Sequence, residues 1–316
     1  MSGLKAIVTG GAGFIGSHVA EALISRGYEV IVLDDLSTGD VKNVPEGAVF
    51  VKGDVSRAED LARVRDLVHG DEAVIAHLAA LVSVPEAMQR PLKAFEVNVI
   101  GTVNVIELAR QLDAYVVVAS SAAVYGDPPS LPVSEDTPTR PMSTYGASKL
   151  ASEAAALAMA SERGIRASAL RLFNVYGPRM RPGPYAGVVL KFLSAALLGT
   201  TPEVYGDGMN TRDFVYVSDV AEAFASSIER RAVGVFNVGT GSETSVLELL
   251  EIVSRVTGVQ LRPAFRPPRP GDIRRSVADV RRAREALAWS PRVPLEEGLR
   301  LTYGWLRSLS PSTRTS

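Results

Sequence analysis

A doubly wound α/β fold on a parallel sheet, followed by a smaller C-terminal lobe, is what this 316-residue chain predicts. Three observations carry that reading. Short apolar runs alternate with helical patterns up to residue 172; the first run ends in the glycine turn Gly10-Gly-Ala-Gly-Phe-Ile-Gly16; and the second ends in the acids Asp34-Asp35. Alternating strands and helices imply right-handed crossovers and a parallel sheet, and a glycine turn between the first strand and helix is the Rossmann-type signature of dinucleotide binding.

In order, Leu4–Thr9 reads as a strand and Val19, Ala20, Leu23 and Ile24 as the apolar stripe of the helix behind it. Between them Gly10, Gly13 and Gly16, with Phe14 and Ile15 in the same turn, have the spacing that lets a backbone turn tightly, approach a pyrophosphate and pack helix on strand. Tyr28–Leu33 is a second strand. Asp34 and Asp35 at its end suit the adenosine ribose hydroxyls and repel a 2′-phosphate, so the expected cofactor is NAD rather than NADP, unless the acid merely caps a loop. Val49–Asp54 and Ala73–Leu78 give the third and fourth strands, around a helical stretch from Ala58 to Val68. Asp54, beside Val55, either meets an adenine edge or caps the next helix. Leu78, Ala79 and Ala80 are residues over which a cofactor can lie. Asn98 is polar among Val97, Val99 and Val103, and either bonds backbone near an active site or is exposed.

Tyr115–Ser121 is the fifth strand, whose carboxyl end delivers the hydroxyls of Ser120 and Ser121 into the crevice where open parallel sheets bind ligands. The loop Asp127–Pro141, with Pro128, Pro129, Pro132, Pro138 and Pro141, reads as a rigid cover. It leads to Ser143-Thr-Tyr-Gly-Ala-Ser-Lys149, where Ser143 is a candidate cap and the Ala-rich run behind it opens a helix. Tyr145 and Lys149 then share one face, and an ammonium beside a phenol favours the phenolate that can take a proton from a hydroxyl. Arg166–Leu172 is a sixth strand, followed by Phe173–Pro178. Past residue 175 the alternation loosens and Pro becomes denser at Pro178, Pro182, Pro184, Pro202 and Pro263 to Pro270. The expected division is a dinucleotide-binding domain over 1–175, to which later segments return, a substrate lobe over 176–308 and a frayed tail over 309–316.

A net charge of −1 argues against general binding of nucleic acid or of an acidic membrane face. No apolar run approaches the roughly 20 residues of a membrane span, and no charged leader precedes the first strand. The lack of cysteine excludes disulfides and thiolate chemistry and points to the cytoplasm. His18, His69 and His77 are too scattered for a ligand set, so no metal is expected. Only six of the 34 basic residues are lysine, leaving 28 arginines, a bias that fits either a GC-rich genome or a hot habitat.

Taken together and in order, TGGAGFIGSH at 9–18, LDDLSTG at 33–39, HLAA at 77–80, SSAAVYG at 120–126, YGASK at 145–149, RLFNVYGPR at 171–179, YGDGMNTRDFVYVSD at 205–219, NVGTG at 237–241 and RPGD at 269–272 resemble an extended short-chain dehydrogenase/reductase. Within that group the chain most resembles the UDP-glucose (UDP-galactose) 4-epimerases, over roughly residues 4–305. The resemblance implies reversible inversion at C4 of a UDP-hexose through a 4-keto sugar, with tightly held NAD. It makes Tyr145 the acid/base, Ser121 its partner on the same sugar oxygen, and Lys149 the residue on the nicotinamide ribose. It assigns Asn174, Arg212 and Arg269 to the diphosphate, Asp272 to the uridine ribose, Tyr205 to the uracil and Val188 to the substrate site. Arg212 could instead pair with Asp213 in a structural ion pair. Arg179 and Arg181 fall at the lobe junction.

Departures from relatives sharpen the reading. Where the related 4,6-dehydratases carry an Asp-Glu pair this chain has Ala122-Ala123, which leaves dehydration without its acid and base. Ser276 stands where epimerases restricted to UDP-glucose and UDP-galactose have a bulky aromatic, which implies room for an N-acetyl group. Val82 replaces a Lys found in some members. The Ala-rich helix Ala147–Met159 fits the family's homodimer, in which two helices per subunit form a bundle. The alternatives are another epimerase of the group, such as one acting on UDP-glucuronate, and a dinucleotide-sensing protein without catalysis.

Overall fold

A computed structural model describes residues 3–68, 72–181, 186–269 and 271–309. His69, Pro182, Pro184, Pro270 and the tail from 310 onward lie outside the described residues.

The chain begins β1 (Lys5–Thr9), α1 (Phe14–Ile24), β2 (Glu29–Asp34), β3 (Val49–Lys52), α2 (Ala58–Arg65) and β4 (Ala73–His77). It continues α3 (Val84–Gln89), α4 (Pro91–Phe95), a π-helical turn at Glu96–Ile100, α5 (Gly101–Leu112), β5 (Tyr115–Ser121), α6 (Thr144–Glu162) and β6 (Ala167–Leu172). Then come β7 (Asn174–Tyr176), α7 (Val188–Leu198), β8 (Glu203–Tyr205), β9 (Thr211–Arg212), β10 (Phe214–Tyr216), α8 (Val217–Arg230) and β11 (Gly234–Val238). The last elements are β12 (Thr244–Ser245), α9 (Val246–Thr257), β13 (Ala264–Arg266), α10 (Arg281–Leu287) and α11 (Leu295–Ser308).

Seven strands form one sheet in the order β11-β6-β5-β4-β1-β2-β3, every neighbouring pair parallel. Central strands buried on both faces need continuous apolar runs, and Ala6-Ile7-Val8 and Val116-Val117 are fully buried. One face is covered by α1 and α8, with Val19, Leu23, Phe224 and Ile228 in its core; the other packs Leu61, Val105, Ile106 and Ala156 from α2, α5 and α6. The seventh strand, β11, was not read from the sequence. It returns after some 60 residues of lobe with Val235 and Phe236 alternating toward the two cores, too brief a pattern to stand out.

The lobe holds its own core of Leu190, Phe192, Leu193, Leu249, Leu250 and Leu299, from α7, α9 and α11. Small two-stranded pairings, β7 with β10, β9 with β12 and β8 with β13, brace it. Sheet order reverses between β1 and β4, so the crevice of this fold opens above their carboxyl ends. Thr9, His77 and Ser121 end β1, β4 and β5 there.

Candidate active site

The glycine turn is fixed by contacts that admit no side chain. Gly10 has φ +72, and a Cβ on it would lie 2.7 Å from the backbone nitrogen of Ala79; one on Gly16 would lie 2.1 Å from the Gly10 carbonyl oxygen. Gly13 caps α1 with no side-chain bond, and the first turn holds no acid, so the N–H groups of Phe14 and Ile15 open α1 with no capping group of the chain's own. Asp34 is buried at the end of β2 and accepts N–H bonds from Ala12 at 3.0 Å and Leu36 at 2.8 Å. Burial raises its carboxyl, against the lowering pull of those bonds. Asp35 is exposed and accepts the N–H and hydroxyl of Ser37 at 2.9 and 2.6 Å. A cradle closed to any Cβ, a helix start without its own anion and two carboxylates beyond β2 fit the pyrophosphate and ribose of a dinucleotide.

The catalytic candidates converge on the start of α6. The Ser143 hydroxyl accepts the Gly146 N–H at 3.0 Å, which starts the helix so that Tyr145 and Lys149 lie one turn apart. Ser121 stands close enough to the Tyr145 phenol to pull it down, and its oxygen accepts the Ala123 N–H at 3.2 Å. Lys149 is buried; burial lowers its ammonium to about 8, against the upward pull of Glu153 one turn on. No described residue hydrogen-bonds that ammonium, which leaves its donors for a ribose. Burial raises the Tyr145 phenol and Ser121 pulls it down. In the protein alone Tyr145 is a phenol.

Of the two readings of Asn98, the one in which it bonds backbone near the site holds. Asn98 is buried and its amide is spent, accepting the Leu81 N–H at 2.7 Å and donating to the Leu81 carbonyl at 3.1 Å and the Ser148 hydroxyl at 2.8 Å. It ties the loop at Leu81 to α6. The Ser120 hydroxyl points away from Ser121, as alternate strand residues must, and donates to Glu153 at 2.5 Å. Val55 is a core residue packed against Gly101. Asp54, partly exposed, accepts the Ser56 N–H at 2.9 Å and pairs with Lys93 at 3.5 Å, so it closes a turn and caps no helix; α2 starts after Arg57, which makes no side-chain capping bond. Leu78, Ala79 and Ala80 follow β4 directly, beside Gly10.

The substrate candidates form two groups. Arg212 donates to the carbonyls of Thr211 at 2.8 Å and Ile273 at 2.7 Å and pairs with Asp272 at 2.6 Å. Its alternative partner, Asp213, is corrected: that carboxylate is fully buried and accepts Thr240, Gly241 and Ala278 N–H bonds at 2.7, 2.9 and 3.1 Å. Asn174 donates to the Asp213 carbonyl at 3.3 Å. Arg269 stacks over the Tyr205 ring at 3.7 Å, so the face expected for uracil carries a guanidinium. Val188 opens α7, and Ser276 is half-buried two residues before Ala278, which bridges Val133 of the proline loop. Arg179 bonds Ser17 and Glu21 on α1, and Arg181 bonds the Ser37 carbonyl.

Sequence reading missed a buried ion pair beneath α6. Arg171 donates to both Glu153 oxygens at 3.0 and 2.6 Å, and also to Tyr125 at 2.9 Å and the Glu135 carbonyl at 3.1 Å. Its signal was present, since Glu153 follows Lys149 by the same step that separates Lys149 from Tyr145.

A family model described as GDP-mannose 4,6 dehydratase matches residues 7–302. A UDP-glucose 4-epimerase of Mycolicibacterium smegmatis is 42% identical over 315 residues, covering 97% of this chain and 100% of that protein. The structure of a UDP-glucose 4-epimerase from Thermotoga maritima, with UDP-glucose, is similar at TM-score 0.92 and 38% identity, over 96% of this chain and 99% of that one. That of Thermus thermophilus UDP-glucose 4-epimerase in complex with NAD is similar at TM-score 0.90 and 39% identity, over 97% and 100%.

Proposed function

The chain belongs to the extended short-chain dehydrogenase/reductase family, and from that premise we propose that it is an NAD-dependent enzyme reversibly inverting C4 of a UDP-hexose. The observation that carries the reading is Ser121 beside Tyr145, with Lys149 one turn on and Ala122-Ala123 in place of carboxylates. Bound NAD would supply a hydride acceptor and donor for C4. Tyr145 takes the 4-hydroxyl proton, Ser121 holds the same oxygen, and Lys149 holds the nicotinamide ribose. The resulting 4-keto sugar meets no acid or base at residues 122 and 123 that would eliminate water, so turning the sugar over and returning hydride and proton completes inversion with no net oxidation. Gly10, Gly13, Phe14, Ile15 and Gly16 receive the pyrophosphate, and Asp34 and Asp35 the adenosine ribose.

For the substrate, Asn174, Arg212 and Arg269 hold the diphosphate, Asp272 the uridine ribose, and Tyr205 and Val188 the uridine end. Ser276 admits an N-acetyl group. The reading extends to galactose metabolism in the cytoplasm. Among the described residues no helix is long and apolar enough to cross a membrane. A homodimer is supported by Met88, Leu92, Phe95 and Ile100, large apolar residues exposed on the helices that pack against α6; a monomer in sedimentation at micromolar concentration would remove this part.

The decisive experiment incubates purified protein with UDP-galactose and follows UDP-glucose, beside Tyr145→Phe. The variant should lose at least about 10²-fold in rate. No product from the parent chain, or equal rates, overturns the reading.

A further inference from the structure

One histidine, unused by the proposed chemistry, sits at the centre of a buried chain of hydrogen bonds. His77 ends β4 and is buried with Thr9, Thr102 and Asn98. Its Nδ1 lies 2.7 Å from the Thr9 hydroxyl and its Nε2 3.0 Å from the Thr102 hydroxyl. The protons in this chain can be assigned from the partners. Thr102 donates its single hydroxyl proton to the Asn98 carbonyl at 2.6 Å, so toward His77 it can only accept, and Nε2 must carry the proton. Nδ1 is then an acceptor, and Thr9 donates to it. The Thr9 oxygen in turn accepts the N–H groups of Leu78 and Ala79, both at 3.2 Å. Burial and the nearby Lys149 charge hold the ring at about 3, neutral in any ordinary buffer.

Each end of the chain reaches a part of the candidate site. On the Thr9 side the fixed N–H groups belong to the loop after β4, whose Ala79 backbone presses on Gly10 too closely to admit a Cβ. On the Thr102 side Asn98 grips Leu81 and the Ser148 hydroxyl, which itself donates to the Tyr145 carbonyl at 2.8 Å. The π-helical turn Glu96–Ile100 places Asn98 for this, since Thr102 bonds back across it.

We propose that His77 is a positioning residue, held as the neutral Nε2–H tautomer, that sets the cofactor floor at Leu78–Leu81 against the Tyr145 helix. The inference rests on the reading of Tyr145 and of the dinucleotide cradle given above. Its two arms can be cut separately. Asparagine places an acceptor near Nδ1 but cannot reach Thr102; glutamine places a donor near Nε2 but leaves Thr9 without its acceptor. Thr102→Val cuts the Thr102 arm without touching His77.

The experiment has two readouts independent of turnover and one dependent on it. In ¹⁵N-histidine-labelled full-length protein, the signal lost in His77→Gln should be a neutral Nε2–H ring at pH 7; an Nδ1–H or charged ring overturns the inference. NAD released by heat should fall in His77→Gln and stay near the parent level in His77→Asn and Thr102→Val. With bound NAD normalised, His77→Asn and Thr102→Val should lower kcat by up to about 10²-fold with KM little changed. Variants that melt earlier yet keep parental occupancy and kcat would make His77 structural only, and overturn the proposal. A parent chain without epimerase activity would overturn the functional reading instead, while tautomer and occupancy still decide this one.

Discussion

Replacing Lys149 by Met in protein stripped of nucleotide should make the fold more stable, and pH should control by how much. The side chain is buried and its ammonium is lowered from 10.5 to about 8, chiefly by burial. That difference is worth about 3 kcal/mol against the folded state at pH 7, where both folded and unfolded chains carry the charge. Because the folded value lies below the unfolded one, the unfolded chain binds more protons between about pH 8 and 10.5, so the penalty fades as pH rises through that window. Met keeps the unbranched stem and removes the charge. Its margin over the parent should be about 3 kcal/mol at pH 7, or about 5 °C in Tm for a chain of this length, shrinking toward zero by pH 10.5. Urea unfolding at pH 7, 8, 9 and 10 measures it, and the difference between the two proteins cancels the tyrosines, such as Tyr125 at about 12, that titrate above the window. A margin independent of pH, or a variant less stable than the parent at pH 7, would refute the reasoning. Epimerase activity should be lost in the same variant, the usual exchange of stability for a charged site.

Gly16→Ala should lose bound NAD, because the new Cβ would meet the Gly10 carbonyl at 2.1 Å and the turn must shift; unchanged occupancy in the purified variant would contradict it. Glu153→Gln should cost roughly 3 kcal/mol by leaving Arg171 charged and half paired, at the low end for a buried pair because Tyr125 and the Glu135 carbonyl remain. Glu153→Leu with Arg171→Met should recover part of that in urea unfolding, and a single variant costing under about 1 kcal/mol would sink the account. Ser276→Tyr should abolish turnover of UDP-N-acetylglucosamine while UDP-galactose turnover persists; parallel loss or parallel retention of both would remove the specificity role.

The sheet was legible because its strands are buried on both faces and so must be apolar throughout, as in Val30-Ile31-Val32-Leu33. Its seventh strand was not, because β11 is specified by a partner, β6, lying more than sixty residues earlier and carries polar Asn237 into the core. In the site, residue types with one chemical use were readable: glycines that cannot bear a Cβ, and a Tyr and Lys one turn apart. Direction was not. Ser120 and Ser121 are neighbours of one type, and only strand register decides that one faces Glu153 and the other Tyr145. Asp213 looked like a partner for its neighbour Arg212, yet four donors from Thr240, Gly241 and Ala278 claim it, and none is near it in sequence.

The same point governs the two arginines proposed for the diphosphate. Each already has a partner: Arg212 pairs with Asp272, and Arg269 lies on Tyr205. Whether this obstructs or prepares a substrate is decided by magnitude. The Arg212–Asp272 contact is partly exposed, with Asp272 about a third open to solvent, and pairs of that kind are worth about 0–1 kcal/mol. Charge-assisted forks to phosphate are stronger and more directional, so the exchange runs toward the ligand. Meanwhile the bonds of Arg212 to the carbonyls of Thr211 and Ile273 need not be given up. Those two bonds fix where the guanidinium stands, and Asp272 only fills its remaining donors until something better arrives. The pairing is therefore preorganisation, which lowers the entropy that binding must otherwise overcome.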